Sequence, residues 1–401
     1  MLAAMQLPAQ WLRDIPDYSC VHNKKSVLHC PANCIALDGF YRSLDSLLLY
    51  GGKGVRILHI GGSHVQADIL PHRLRLNFAA LGYNITASRG VLFPMHLCKT
   101  NASPYYTITA TGTWDYTTLM NHRLPLQLGL TGMAALTTDT ATLNIRLNNH
   151  SDEHWNFNTM HILGAASSDS VQIYTLLDGD TLYALPDSID GYVLTLTQPT
   201  DTLLLHFDVP ENNRFILNGL LPANDAPGVS YYSIGVNGAA VPSWLNANFE
   251  HQLRLIQPQL VIFGIGINDA NVPYGKFDTA VFKAGYNELI RRIHLVSPNC
   301  AFIFITNNDC YTNLGRRHRS SPNRNTLLAQ QAFYELARQH NAAVWDTYEV
   351  MGGLGSSNQW RDSGLMRRDR IHFSTDGYKL IGDLLFNAII ERYRTHANNY
   401  E

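Results

Sequence analysis

Apolar positions recur at helical spacing through Leu37, Phe40, Tyr41, Leu44, Leu47 and Leu48, and Gly51 follows as a stop. The period then changes. Residues 55–60 (Val-Arg-Ile-Leu-His-Ile) read as a buried strand that runs straight into Gly61-Gly62-Ser63-His64. Pro71, Leu74, Phe78 and Leu81 predict a helix with proline near its start and Gly82 at its end. This is a strand–turn–helix unit with a serine at the turn. Residues 1–36, which precede it, show no clear period and read as an extended N-terminal arm.

Between about residues 95 and 228 the pattern becomes short β-like runs, at 141–147, 171–177, 192–197 and 202–209, rich in Thr, Asn, Asp and Gly. Turn signals such as Asp178-Gly179-Asp180 and Gln198-Pro199-Thr200 separate them. Short strands at regular spacing predict an all-β sandwich. From about residue 230 the longer rhythm returns. Helices are predicted at 245–256, 277–296, 326–340 and 377–393, and strands at 260–264, 301–305 and 342–345. Ser374, Thr375 and Asp376 are ready caps for the last helix, whose apolar face is traced by Tyr378, Ile381, Leu385, Ala388 and Ile389. Strands alternating with helices argue for a parallel sheet covered on both faces. Ligands bind such sheets at the C-terminal ends of the strands. The fold class expected is therefore α/β, a three-layer α/β/α domain over residues 37–94 and 229–401, interrupted by a β-sandwich over 95–228.

Composition removes several function classes. The 401-residue chain has 30 basic and 32 acidic side chains, a net charge of −2, and no clustered excess of Lys and Arg. That argues against nucleic acid or an anionic lipid surface as partner. The longest apolar run, 260–267, is too short to span a bilayer, which takes about 20 residues. Met1 to Trp11 carries neither a basic n-region nor a long apolar h-region, so it does not read as a signal peptide. The chain is then either cytoplasmic or exported with its signal outside this numbering. Of six cysteines, Cys20, Cys30 and Cys34 lie within fifteen residues, which fits either a disulfide or free, partly buried thiols. No Cys-x-x-Cys pair occurs, and His59, His64, His72 and His96 show no metal-binding helix spacing, so no metal and no organic cofactor are expected.

Four polar segments fall at strand ends. Ser63 follows a strand directly and opens a helical segment, which exposes its hydroxyl; a serine needs a neighbouring base to act as nucleophile. Asp369-Arg370-Ile371-His372 places a carboxylate where it can accept from one ring nitrogen and leave the other facing a serine. Gly238, in Gly235-Val236-Asn237-Gly238-Ala239, offers a backbone amide, and Asn268 a side-chain amide; both are suitable donors to an oxyanion. Taken singly, each is more often an ordinary turn former or loop residue. The ordered set, one member at each strand end, is what points to ester chemistry.

That set resembles the four blocks of the SGNH (GDSL-type) hydrolases. Gly61-Gly62-Ser63 stands where the family has Gly-Asp-Ser, Gly266-Ile267-Asn268-Asp269 matches its Gly-x-Asn-Asp block, and Asp369 to His372 matches its closing Asp-x-x-His. Gly62 departs from the family's Asp. The string Gly61-Gly62-Ser63-His64-Val65-Gln66-Ala67-Asp68 is similar to one in peptidoglycan O-acetylesterase-like members, as are Arg89-Gly90-Val91-Leu92-Phe93-Pro94 and the segment from Met351-Gly352-Gly353 to Trp360. Those relatives carry a β-sandwich similar to carbohydrate-binding modules between the first two blocks. Here Ser63 and Gly238 lie 175 positions apart, and the β-rich stretch fills the gap.

The resemblance implies a serine esterase. Ser63 would be the nucleophile, His372 the base, Asp369 its partner, and Ser63 N–H, Gly238 N–H and Asn268 the oxyanion donors. It further implies an O-acetylated glycan as substrate, first of all the acetyl on peptidoglycan muramic acid, and an extracytoplasmic, periplasmic or cell-surface location. The alternatives are an esterase or lipase on other acyl groups, an O-acetyltransferase with the same triad, or a non-catalytic glycan-binding protein. Trp114 and Trp155 in the inserted stretch read as core residues first and as sugar-stacking platforms second.

Overall fold

The computed structural model describes residues 11–82, 88–150, 153–189, 191–312 and 320–398. Most of Met1 to Trp11 and the first ten residues of the arm lie outside these. One six-stranded sheet organises the α/β part. Its strands are β1 (Leu28–His29), β2 (Val55–Gly61), β14 (Val229–Gly235), β15 (Leu260–Gly264), β16 (Ala301–Ile305) and β17 (Ala343–Trp345), in the order β1-β17-β16-β15-β2-β14. Only the β1–β17 pair is antiparallel; the rest is parallel. The eleven strands between, β3 to β13, run from Thr107 to Ala223 and form two antiparallel sheets of six and five strands.

Alternation along the central strands explains the three layers. Leu58, Ile60, Val261, Phe263, Phe302, Phe304 and Val344 enter one core, with apolar side chains of α5 (Glu250–Ile256), α7 (Thr279–His294) and α8 (Asn325–His340). Val55, Ile57, Leu260, Ile262, Ala301, Ile303, Ala343 and Trp345 enter the other, with α1 (Ile35–Tyr50), α3 (Ile69–Ala79) and α11 (Thr375–Asn398). Side chains of successive strand residues point to opposite faces, so a run that is apolar throughout must be covered twice. The inserted sheets enclose a third core, which includes Phe157, Leu205, Phe207 and Leu217. Trp155 is buried in it, and Trp114, partly buried, packs edge-on against Phe207 at its margin.

Several expected elements differ in detail. The helix expected at 245–256 begins only at Glu250, as α5, and a separate short helix, α4 (Val241–Trp244), precedes the expected range. The α4 start is set by a distant residue, since both Asp269 carboxylate oxygens accept from Val241 N–H at 3.1 Å. Residues 229–235 form β14, a strand not singled out from the sequence. The described part of the N-terminal arm is docked rather than free: β1 extends the central sheet and Cys20 and Val21 are buried. Cys30 and Cys34 form a disulfide, and Cys20 is a buried free thiol.

One buried carboxylate ties the parts together. Asp68 has a left-handed backbone (φ 59°) and lies five residues past Ser63. Its Oδ1 accepts from Arg75 Nη2 on α3 at 3.4 Å and from Ser233 Oγ on β14 at 3.3 Å. Its Oδ2 accepts from Arg89 Nη2 and, at 2.7 Å, from Ser103 Oγ, both in the segment leading to the insert. Burial pushes the Asp68 carboxyl up, but Arg89, Arg75 and the Ser103 hydroxyl together outweigh it and hold it well below the usual carboxylate range. Asp68→Asn keeps the shape and suits the left-handed backbone, but leaves two buried guanidinium groups without their shared anion. We expect about 3–5 kcal/mol lost in urea unfolding at neutral pH. Because the folded value is depressed, this contribution is whole above the ordinary value of about 3.9 and fades as pH falls toward the folded value. The gap between wild type and variant should therefore narrow in acid.

Candidate active site

The nucleophile segment is set by close packing at the end of β2. β2 runs parallel to β14 and to β15 on its two sides, and Gly61 pairs with both Gly235 and Gly264. A Cβ on Gly61 would come 2.2 Å from Val65 Cγ2, and one on Gly235 would come 2.5 Å from the Gln66 backbone nitrogen. Only glycine lets α2 (Ser63–Gln66) turn this tightly over the strand ends. Trp244 Nε1 donates to Gly61 O at 3.2 Å and buttresses the turn from the far side. Ser63 is the first residue of α2, where helix geometry leaves its N–H without an intrahelical partner. At Gly62 a Cβ would stand 3.4 Å from Ala239 O and 3.5 Å from Asn268 Nδ2, which is ordinary contact. The departure from Gly-Asp-Ser at this position is therefore not forced by crowding.

The structure brings Ser63, His372 and Asp369 into hydrogen-bonding contact, with Asn268 close to the Gly62 turn and to Ala239 in the loop that carries Gly238. Ser63 Oγ lies 2.9 Å from His372 Nε2, and His372 Nδ1 lies 2.9 Å from Asp369 Oδ2. The other Asp369 oxygen accepts from the N–H groups of Ile371 and His372, each at 2.9 Å. The loop is held in this shape by Arg370, whose backbone is left-handed and whose guanidinium lies 3.7 Å from the Tyr311 ring centre. Burial pushes the Asp369 carboxyl up, but the N–H and ring of His372 and the Ile371 N–H outweigh it and hold it below the usual carboxylate value. The carboxylate is ionised at neutral pH and orients the ring so that Nε2 faces the serine.

Gly238 and Asn268 supply the other candidate N–H donors near this turn. Gly238 is exposed and has φ of +80°, a conformation that glycine adopts freely. No hydrogen bond engages its N–H among the described residues. Asn268 opens out from α6 (Ile267–Ala270) and donates one amide hydrogen to Ala239 O at 2.9 Å. Its second hydrogen remains for an anion.

Three neighbours went unassigned in the sequence. Gln66 accepts from Asn237 N–H at 2.6 Å through Oε1, and its Nε2 donates to Thr100 Oγ1 at 2.8 Å and Asn101 O at 3.1 Å. It thereby fixes the loop that carries Gly238. His64 packs its ring 5.4 Å from that of His372 and is bonded through Nδ1 to Tyr378 Oη at 2.8 Å. Burial, followed by the positive charge His372 can carry, pushes His64 down to about 3, so it stays neutral. Asp269, which anchors α4, is pushed up by burial to about 7 against the opposing Val241 N–H. The only signal for these residues was their place within the strings around Ser63 and Asn268. Among the described residues no group of three His, Cys, Asp or Glu side chains is placed to hold a metal, and no helix is long and apolar enough to cross a membrane.

Comparison with known proteins fits this geometry. Residues 208–380 match the model of the GDSL-like lipase/acylhydrolase family. The matched segment holds Gly238, Asn268, Asp369 and His372, while Ser63 lies before the insert and outside it. No curated protein matches the chain. Among solved structures, a peptidoglycan O-acetylesterase superposes with a TM-score of 0.75 at 21% identity, over 92% of this chain and 99% of that one. A family 3 carbohydrate esterase of Clostridium thermocellum matches at TM-score 0.30 and 18% identity, over 44% and 77% of the two chains. An acetyl xylan esterase matches at TM-score 0.31 and 15% identity, over 40% and 81%.

Two variants probe the arrangement with 4-nitrophenyl acetate. Asn268→Ala removes one donor and should lower kcat about 10²–10³-fold. Asp369→Asn frees the imidazole to adopt the wrong tautomer and should cost about 10⁴-fold. Circular dichroism should show both variants folded.

Proposed function

We propose that this chain, whose residues 208–380 match the GDSL-like lipase/acylhydrolase family, removes O-acetyl groups from a glycan, first of all from the muramic acid of peptidoglycan. The observation that carries this reading is the whole-chain likeness to a peptidoglycan O-acetylesterase, insert included, joined to the 2.9 Å contacts linking Ser63, His372 and Asp369. A shared catalytic domain alone would support ester hydrolysis; the shared insert supports a shared kind of polymer.

In this mechanism Ser63 Oγ attacks the acetyl carbonyl carbon while His372 Nε2 takes the hydroxyl proton. Asp369 stabilises the imidazolium through Nδ1–H. The carbonyl oxygen becomes an oxyanion held by the N–H groups of Ser63 and Gly238 and the free hydrogen of Asn268. The intermediate collapses by breaking the bond to the sugar oxygen, which receives the proton from His372 and leaves as a hydroxyl. Water then attacks the acetyl-serine, with His372 taking its proton and returning it to Ser63 Oγ as acetate departs. The low charged fraction of the sequence, 15%, suits a glycan better than a polyanion, and the Cys30–Cys34 disulfide supports an oxidising, extracytoplasmic compartment.

The test is acetate release from O-acetylated peptidoglycan, O-acetylated xylan and a short synthetic ester. Peptidoglycan should be preferred in kcat/KM, and Ser63→Ala should release no acetate above background from any of them. Preference for xylan would overturn the substrate and leave the mechanism standing. Wild-type rates in Ser63→Ala would overturn the mechanism.

A further inference from the structure

A turn of the inserted region reaches the oxyanion side of the site. It lies between β4 (Asp115–Thr118) and β5 (Met133–Thr137). Thr118 N–H donates to Asn121 O at 3.0 Å, and Asn121 N–H returns to Thr118 O at 3.2 Å. Thr118 Oγ1 accepts from the N–H groups of Met120 and Asn121 at 3.2 and 3.1 Å. The turn is therefore closed on itself, with Met120 near its tip.

It is also keyed to the loop that carries Gly238. Leu119 N–H donates to Gly132 O at 3.0 Å, and the Leu119 side chain is buried in the same apolar cluster as Val236. A Cβ on Gly132 would come 2.7 Å from Leu119 Cδ1 and 3.1 Å from Val236 Cγ2, so the three segments meet without slack. Val236 stands two residues before Gly238. Met120, by contrast, is 48% exposed, and Ser243 Oγ donates to its Sδ at 3.5 Å. Among the described residues, its Cε and Cγ, at 3.7 and 3.8 Å, are the atoms a Cβ on Gly238 would meet. A large apolar side chain is thus held, half in solvent, directly beside an oxyanion donor.

The chemistry identifies what it touches. The reacting carbon bears four groups: Ser63 Oγ, the oxyanion, the leaving oxygen and the acyl substituent. The oxyanion faces the N–H donors. The leaving oxygen must face His372, which protonates it. The acyl substituent takes the direction left over, and Met120, next to the oxyanion donor Gly238, is the apolar side chain of the insert placed to meet it. We propose that Met120, lent by the inserted region, contacts the acyl group of the ester and restricts the site to short acyl chains. This rests on the reading that Ser63 attacks an ester, and it adds that the insert contributes to substrate selection at the reacting carbon.

The test compares kcat/KM for 4-nitrophenyl acetate and butyrate in the wild type, Met120→Ala and Met120→Phe, with active sites counted by fluorophosphonate labelling of Ser63. Truncation opens room for the longer chain, and one added methylene accommodated in an apolar site is worth about tenfold or more. Met120→Ala should raise the butyrate-to-acetate ratio about tenfold, and Met120→Phe should lower it. An unchanged ratio in both labelled variants overturns the proposal. Absence of labelling in the folded wild type would instead overturn the serine esterase reading. If Met120→Ala did not fold, the direction of the Met120→Phe shift would decide.

Discussion

The site depends on one buried carboxylate that is not part of it. Asp68 directly follows the nucleophile helix, and its carboxylate is the shared acceptor for α3, β14 and the segment leading to the insert. Two guanidinium groups are buried against it, and each also lies over an aromatic ring, Arg75 over Tyr231 and Arg89 over Tyr106. Buried charges are tolerated only when paired and hydrogen-bonded, so none of these segments can move away without exposing an uncompensated charge. Since Asp68 follows Ser63 by five residues, the position of the nucleophile is locked to the arrangement of the whole molecule.

The same constraint explains how an insertion of this size leaves a small site intact. The chain leaves the α/β part after α3 and returns as β14, which pairs residue for residue with β2, from Val229 with Val55 to Gly235 with Gly61. That register places the loop bearing Gly238 beside the turn bearing Ser63, whatever lies between them in sequence. Gln66 then spans the remaining gap by holding both Asn237 and the 100–101 segment. The insert is not a passenger on this frame: Leu119, Leu128, Leu130 and Met133 share a core with the central sheet.

What was legible in the sequence is what backbone period and strand-end polarity encode. The runs at 55–60, 260–264 and 301–305 are largely apolar, and the polar turns after the first two can be read as parts of a site. Asp369 and His372 were legible because their interaction is local. The rest depends on partners far along the chain. Two-residue β1 is a strand only because β17 offers it an edge, and the start of α4 follows from Asp269 binding Val241. Three cysteines in fifteen residues left the pairing open, and it is the burial of Cys20 near Ser363 that separates it from Cys30 and Cys34. His64 and Met120 carry no pattern of their own, since a ring contact and a turn tip acquire meaning only from what lies opposite.

The electrostatics of the site follow from this burial. Turnover by the proposed route places a cation on His372 and an anion between Gly238 and Asn268. A charged neighbour of the wrong sign on either side would oppose it. His64, in ring contact with His372, is pushed down to about 3 by burial and so adds no positive charge beside the imidazolium. Asp269, adjacent to Asn268, is pushed up to about 7 by burial, which lessens negative charge beside the oxyanion. Asp369 alone is held on the ionised side, by the N–H groups of its own loop, and it stands behind His372 where a negative charge favours the cation. Burial keeps His64 neutral and lessens the charge on Asp269, while local hydrogen bonding keeps Asp369 charged, so the fold sets the field of the site before a substrate arrives.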